Sequence, residues 1–167
     1  MKVLTIFGTR PEAIKLAPVI KELEKNPEIV SSVCVTAQHR QMLDQVLQLF
    51  EINPNFDLDL MREDQSLFDI TASILQNLEE VLKEERPDIV LVHGDTTIAF
   101  VASLAAYYFK IKIGHIEGGF ALMINIILFL RKLTADLSMS CVIFGFRPRK
   151  TLNRTCFEKG PRMIKFS

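Results

Sequence analysis

An apolar run that ends in glycine and leads into a helix constrains this fold most. Residues 3–7 are almost continuously apolar and β-prone, as in a strand buried on both faces of a parallel sheet. Gly8 permits a tight turn, and Pro11 suits the first helical turn, where its missing N–H removes no helical hydrogen bond. Because a helix N-terminus attracts anions, Arg10 and Lys15 beside this turn suggest an anionic ligand. The alternative is that both are cations on a solvated helix face.

The same strand-then-helix pattern recurs along the first 118 residues. Strands are predicted at 2–7, 30–36, 88–95 and 111–116, and helices at 11–25, 41–50, 66–85 and 98–109. Residues 52–61 are predicted to form a connection that contains a short strand. Repeated units of this size predict an α/β fold with a Rossmann-like, doubly wound parallel sheet. A ligand then lies beyond the carboxyl ends of the strands.

Polar residues follow several predicted strands, at residues 8–10, 38–39, 94–95 and 117. Their common position at strand ends predicts one shared site. Asp95 and Glu117, at neighbouring strand ends, can hold different pKa values, as a general acid and base require. The alternative for Asp95 is a capping role in the following helix. His93 and His115 precede these acids and are predicted to be core or supporting residues.

Four segments carry a resemblance to a known family. They are Phe-Gly-Thr-Arg-Pro-Glu-Ala-Ile-Lys at 7–15, Thr-Ala-Gln-His-Arg-Gln-Met-Leu-Asp at 36–44, Val-His-Gly-Asp-Thr-Thr at 92–97 and Gly-His-Ile-Glu at 114–117. In this order they resemble the N-terminal domain of the non-hydrolysing UDP-N-acetylglucosamine 2-epimerases. The resemblance covers residues 1 to about 118. It implies one half of a two-domain glycosyltransferase-type fold, a homodimer and a UDP-sugar ligand.

The resemblance also implies a reaction. UDP-N-acetylglucosamine is converted to its manno epimer by elimination and re-addition of UDP, with no metal or other cofactor. Asp95 and Glu117 match two catalytic acids of the family, and Arg10 and Lys15 match basic residues that bind the substrate. Proton removal from a weakly acidic carbon needs such carboxylates, and the departing diphosphate needs cations.

A regulatory site is the least complete part of the resemblance. Gln38 and Gln41 match positions that bind a second UDP-sugar in some bacterial members. A basic position of that site falls near Asp64 in this chain, which disfavours regulation.

The regular pattern stops after Gly119. Residues 120–130 form an apolar run of eleven residues, too short to span a bilayer, and no clear period follows. Residues 119–167 contain nine basic and two acidic side chains, so this segment carries +7 while residues 1–118 carry −7. The sequence predicts two regions: a Rossmann-like domain at 1–118 and a weakly packed, non-family tail at 119–167.

A one-nucleotide deletion near codons 117 and 118 explains this change. The family continues with Gly-Leu-Arg-Thr, Pro-Phe-Pro-Glu-Glu and Asn-Arg, which are missing here. If codons for residues 118–135 are read one nucleotide earlier, permitted choices restore all three segments. We therefore expect an out-of-frame tail and a truncated epimerase that is inactive as this chain. The alternative is a non-catalytic α/β module that binds a nucleotide sugar or a partner.

Composition excludes several other classes. With 49% hydrophobic and 24% charged residues, the chain is typical of globular proteins. Three cysteines lack metal-type spacing and favour a reducing compartment, and no leader peptide is evident, which predicts the cytoplasm. The basic tail lacks interleaved aromatic residues, so nucleic-acid binding is not expected.

Overall fold

The computed structural model describes residues 1–36, 40–60 and 64–116, together with the backbone of a short strand further on. Strands and helices alternate through the described ranges. In chain order they are β1 (Lys2–Phe7), α1 (Arg10–Glu24), β2 (Val30–Val35), α2 (Arg40–Leu49), β3 (Phe56–Asp57), α3 (Leu67–Glu85), β4 (Ile89–His93), α4 (Thr97–Tyr108), β5 (Lys112–Ile116) and β6 (Val142–Phe144). The short strand expected within residues 52–61 is β3.

The six strands form one parallel sheet in the order β3-β2-β1-β4-β5-β6. From β1 the chain winds outward through β2 to β3, and it then returns to the other side of β1 to begin β4. The winding direction therefore reverses between β1 and β4. The doubly wound, Rossmann-like fold is confirmed, and its switch point lies where ligands bind in such sheets.

Apolar side chains cover both faces of this sheet. One cluster contains Leu4 and Ile6 of β1 and packs against α3 and α4, with Leu78 and Val101 fully buried. The second contains Phe7 of β1 together with residues of α1, α2 and β2. Burial on both sides explains why β1 reads as an almost unbroken apolar run.

Local signals set the helix ends. Ser66 caps α3 by accepting from the Asp69 N–H at 3.2 Å, while Asp69 accepts from the Ser66 N–H at 3.0 Å. Arg86 ends α3 in the left-handed conformation (φ 49°), directly before Pro87, which cannot continue a helix. Thr96 caps α4 by accepting from the Ala99 N–H at 3.1 Å.

The sixth strand lies in the segment where the sequence shows no clear period. The backbone of β6 pairs in parallel with β5, with Gly114 opposite Val142 and Ile116 opposite Phe144. The three residues Val-Ile-Phe are strongly β-prone, and without them β5 would be an edge strand with unpaired backbone groups. A missing long-range period therefore does not exclude a short strand.

Candidate functional site

Two turns meet the edge of the sheet at the switch point, one after β1 and one after β4. The first turn needs glycine because its neighbours approach closely. A Cβ atom on Gly8 would lie 2.0 Å from Thr36 Oγ1 and 2.4 Å from Ile98 Cδ1. The turn after β1 is therefore packed against both β2 and α4, and it directs the chain into the N-terminus of α1.

A buried carboxylate joins the two turns. Glu12, in the first turn of α1, is only 3% exposed. Its Oε2 atom accepts from the N–H groups of Gly8 and Thr9, each at 2.9 Å, and its Oε1 atom accepts from the Thr96 hydroxyl at 2.6 Å. Charge-assisted bonds of this kind are stronger than neutral ones. Glu12 thus bonds to a residue 84 positions further along the chain.

The turn after β4 carries Asp95. Gly94 has φ +76°, a conformation that L side chains rarely adopt, and its carbonyl lies 2.7 Å from His115 Nε2. Since a carbonyl oxygen only accepts, Nε2 carries the ring proton and donates it. Asp95 itself is exposed. The cap of α4 is Thr96, so the alternative in which Asp95 caps this helix is wrong.

Both histidines near the site are buried, as predicted. Burial lowers the pKa of His115, and the nearby His93 lowers it further; the Gly94 carbonyl and the Asp95 charge oppose this shift. A lowered pKa keeps the His115 imidazole neutral at physiological pH. The ring therefore acts as a fixed hydrogen-bond donor to the turn that presents Asp95.

The predicted substrate-binding cations lie on the same edge of the sheet. Arg10 is the first residue of α1, and Lys15 is one turn further along; both are exposed. The structure brings the Arg10 turn and the Asp95 turn together through Glu12. Glu117 follows β5 directly but lies outside the described residues.

The predicted regulatory positions lie at the start of α2. Gln41 is exposed there, and Gln38 lies outside the described residues. The neighbouring Arg40 forms a bidentate pair with Asp57, with atoms 2.6 and 2.7 Å apart, and also approaches Asp44 (3.3 Å) and Asp59 (3.7 Å). We call these four residues the Arg40 cluster. Because three carboxylates surround one guanidinium, the cluster carries a net negative charge.

Sequence reasoning missed the role of Glu12. The signal was present: Thr9 and Glu12 form a Thr-x-x-Glu capping pattern at the start of a helix. That pattern predicts the bond from Glu12 to the Thr9 N–H. It does not predict the bond to Thr96, because the second partner depends on the packing of two distant turns.

Within residues 1–36, 40–60 and 64–116, no group of His, Cys, Asp and Glu side chains is arranged to hold a metal ion. In the same part of the chain, none of the helices combines the length and the apolar character needed to cross a bilayer.

Comparison with known proteins identifies relatives of the first 119 residues. Residues 21–123 match the family model of UDP-N-acetylglucosamine 2-epimerase. The UDP-N-acetylglucosamine 2-epimerase of Neisseria meningitidis is 64% identical over 119 residues, which are 71% of this chain and 32% of that protein. The Bacillus subtilis enzyme is 61% identical over 119 residues, with 71% and 31% covered. The chain thus spans about a third of these relatives.

Solved structures agree with this relationship. The Neisseria meningitidis epimerase bound to UDP-GlcNAc superposes with a TM-score of 0.70 at 61% identity, covering 74% of this chain and 34% of that one. The Methanocaldococcus jannaschii enzyme in complex with UDP-GlcNAc and UDP gives 0.67 at 35% identity, covering 71% and 33%. With the family model matching more than half of its residues, the chain belongs to the UDP-N-acetylglucosamine 2-epimerase family.

Proposed function

We propose that this chain supplies the N-terminal half of a UDP-N-acetylglucosamine 2-epimerase active site. The ligand is a UDP-sugar, and the reaction is inversion of the carbon that carries the acetamido group. UDP is eliminated to leave a glycal, and it is then added back. The supporting observation is the meeting of the Arg10 and Asp95 turns at the switch point of the sheet, joined by Glu12.

In this proposal each exposed group has one task. Arg10 and Lys15 compensate the charge of the diphosphate as it leaves, aided by the N-terminus of α1. Asp95 and Glu117 serve as general acid and base at the epimerised carbon. His115 keeps the Asp95 turn in place and remains neutral, which leaves the proton transfer to the carboxylates.

Titration with UDP tests the binding part of this proposal. UDP added to the labelled 167-residue chain is expected to shift the amide resonances of Gly8, Thr9 and Asp95 together. Arg10→Ala should weaken this binding about tenfold, since one charge-assisted contact to phosphate is lost. Lys25→Ala, at the far end of α1, is the matched control and should bind like the wild type. Binding that is indifferent to Arg10→Ala would contradict the proposed ligand orientation.

Turnover is not expected of these 167 residues alone. A polypeptide of these 167 residues spans about a third of its relatives, so we propose that it binds without epimerising. In an enzyme that also contains the family's remaining segments, Asp95→Asn and Glu117→Gln should each lower kcat strongly and KM little. Interconversion of the two UDP-sugars by the purified 167-residue chain would contradict the proposed truncation. Binding without turnover is also expected of the alternative, a non-catalytic nucleotide-sugar module. Turnover by the enzyme that also contains the family's remaining segments would distinguish a truncated epimerase from such a module.

We also propose that residues 1–118 form the family domain and that residues 119–167 are read out of frame. High identity to the curated relatives extends over 119 residues, which supports this boundary. Sequencing the gene around codon 118 tests it directly. The proposal is supported if the genes of related strains contain one more nucleotide at this point and continue with the family segments. It is contradicted if those genes encode the same tail as this chain. Amide exchange adds a second test: the tail should exchange faster than Ile89 and Val92 in β4.

Three finer expectations remain proposals. The family's homodimer would appear as concentration-dependent sedimentation of the chain. A cytoplasmic location can be tested by fractionation. Regulation by a second UDP-sugar near Gln38 and Gln41 is disfavoured by the net negative charge of the Arg40 cluster and by Asp64, because a diphosphate is repelled by carboxylates.

A further inference from the structure

We infer that Glu12 is a positioning residue that fixes the turn carrying Asp95 relative to the turn carrying Arg10. Its relevance to catalysis depends on the proposed function, but the link itself can be tested without it. In an ordinary capping box, the glutamate bonds only to its own helix N-terminus. Glu12 does so with one oxygen, Oε2, and uses the other, Oε1, for Thr96 on the far side of the switch point.

The partners of Glu12 satisfy its buried charge. A carboxylate that is 3% exposed is costly unless it is hydrogen bonded. Here two backbone N–H groups and one hydroxyl donate to it, and the N-terminus of α1 adds a favourable partial charge. Glu12 is therefore held in one position, and its partners are held with it.

The connection continues into α4. The Thr96 hydroxyl donates to Glu12 at 2.6 Å, and the same oxygen accepts from the Ala99 N–H at 3.1 Å. Arg10 and Asp95 are themselves exposed, so burial of their own side chains does not hold them. The Glu12–Thr96 bond thus sets the spacing between the start of α1, which carries the proposed diphosphate-binding Arg10, and the turn that carries the proposed acid/base group Asp95.

Glu12→Gln in the 167-residue chain distinguishes this role from simple capping. The glutamine oxygen can still accept from Gly8 and Thr9, while the side-chain NH₂ group replaces the oxygen that accepts from the Thr96 hydroxyl and cannot accept that proton. We expect the Thr96 hydroxyl proton to exchange slowly enough in the wild type to be seen by NMR, and to be lost from the spectrum of the variant. The Asp95 amide resonance should shift as well. Glu22→Gln, an exposed site on the same helix, is the control.

Substitutions on the other side of the bond provide an independent test, should Glu12→Gln fail to fold. Thr96→Val removes the hydroxyl and should shift the amide resonances of Gly8 and Thr9, more than 80 residues away. Thr96→Ser keeps the hydroxyl and should leave them in place. A double-mutant cycle measures the coupling between the two positions. The change in the unfolding equilibrium constant for the double variant Glu12→Gln/Thr96→Val should differ about tenfold from the product of the two single changes.

The results separate the two proposals. The positioning role is wrong if Glu12→Gln leaves the Asp95 resonance in place and Thr96→Val leaves those of Gly8 and Thr9 in place. This conclusion holds whether or not the chain binds UDP. If the resonances move as expected but the wild type does not bind UDP, the proposed function fails and the link remains. If both hold, Glu12→Gln should reduce the response of Asp95 to UDP at least twofold while Gly8 still responds.

Discussion

Glu12 and Arg40 both connect the start of a helix to another part of the chain, but they do so in opposite surroundings. Glu12 is 3% exposed and bonds to three donors across the switch point. The Arg40 side chain is 45% exposed and joins α2 to β3 through the Arg40 cluster. Arg40 also has three partners, all of them carboxylates, yet water competes with each of these ion pairs. The difference teaches that burial, rather than the number of contacts, decides how strongly a polar link constrains a fold.

Glu12→Ala should have the largest effect on this comparison. The substitution leaves the buried Gly8 N–H and the partly buried Thr9 N–H and Thr96 hydroxyl without their acceptor, which should lower the free energy of unfolding by about 3 kcal/mol. Urea denaturation measures the loss. Glu22→Ala, at an exposed position of the same helix, should cost less than about 0.5 kcal/mol. Equal losses at the two positions would show that burial of Glu12 does not matter.

Gly8→Ala tests the packing around the buried link. The added methyl group would meet Thr36 Oγ1 and Ile98 Cδ1 well inside contact distance. We expect a loss of about 2 kcal/mol in urea denaturation, which is typical of overpacking. The companion Gly94→Ala meets nothing within 4 Å but must adopt φ +76°, so its cost of about 1 kcal/mol is conformational. Thr36→Ala removes the Oγ1 atom that the added methyl group would meet. It should therefore recover part of the stability lost in Gly8→Ala, but none of that lost in Gly94→Ala.

His115 should make stability depend on pH. Its pKa is lowered in the folded state, so the unfolded chain binds the proton more readily. Stability from the neutral ring is complete above the ordinary histidine pKa of about 6.5 and is lost as pH falls below it. His115→Gln can still donate to the Gly94 carbonyl and should flatten the decline of Tm between pH 7.5 and 5. If Tm declines equally steeply in this variant, the pH dependence of stability comes from groups other than His115.

Arg40→Ala should have the smallest effect. An exposed ion-pair cluster contributes about 1 kcal/mol or less, and salt screens it. Urea denaturation at low ionic strength should show a small loss that shrinks further in 0.5 M salt. A loss as large as that of Glu12→Ala would break the comparison between the buried and the exposed link.

The sequence predicted most of the fold because local and long-range signals agree in residues 1–116. The apolar strands, the Gly8 turn and the helix-type spacing of apolar residues indicate the same elements. The sequence did not indicate β6, since a three-residue strand gives too weak a period and its pairing depends on β5. For the site, the sequence placed Arg10 and Asp95 at strand ends and Lys15 in the helix that follows the first strand, and their roles remain proposals.

The amino-acid sequence by itself determined the doubly wound sheet and the family, because both depend on patterns repeated along the chain. It also contained the Thr-x-x-Glu pattern that caps α1. Only the tertiary structure decided that the second oxygen of Glu12 meets Thr96 and that His115 supports Gly94. Such contacts join positions 84 and 21 residues apart, and they exist only after the strands have brought two turns to one edge of the sheet.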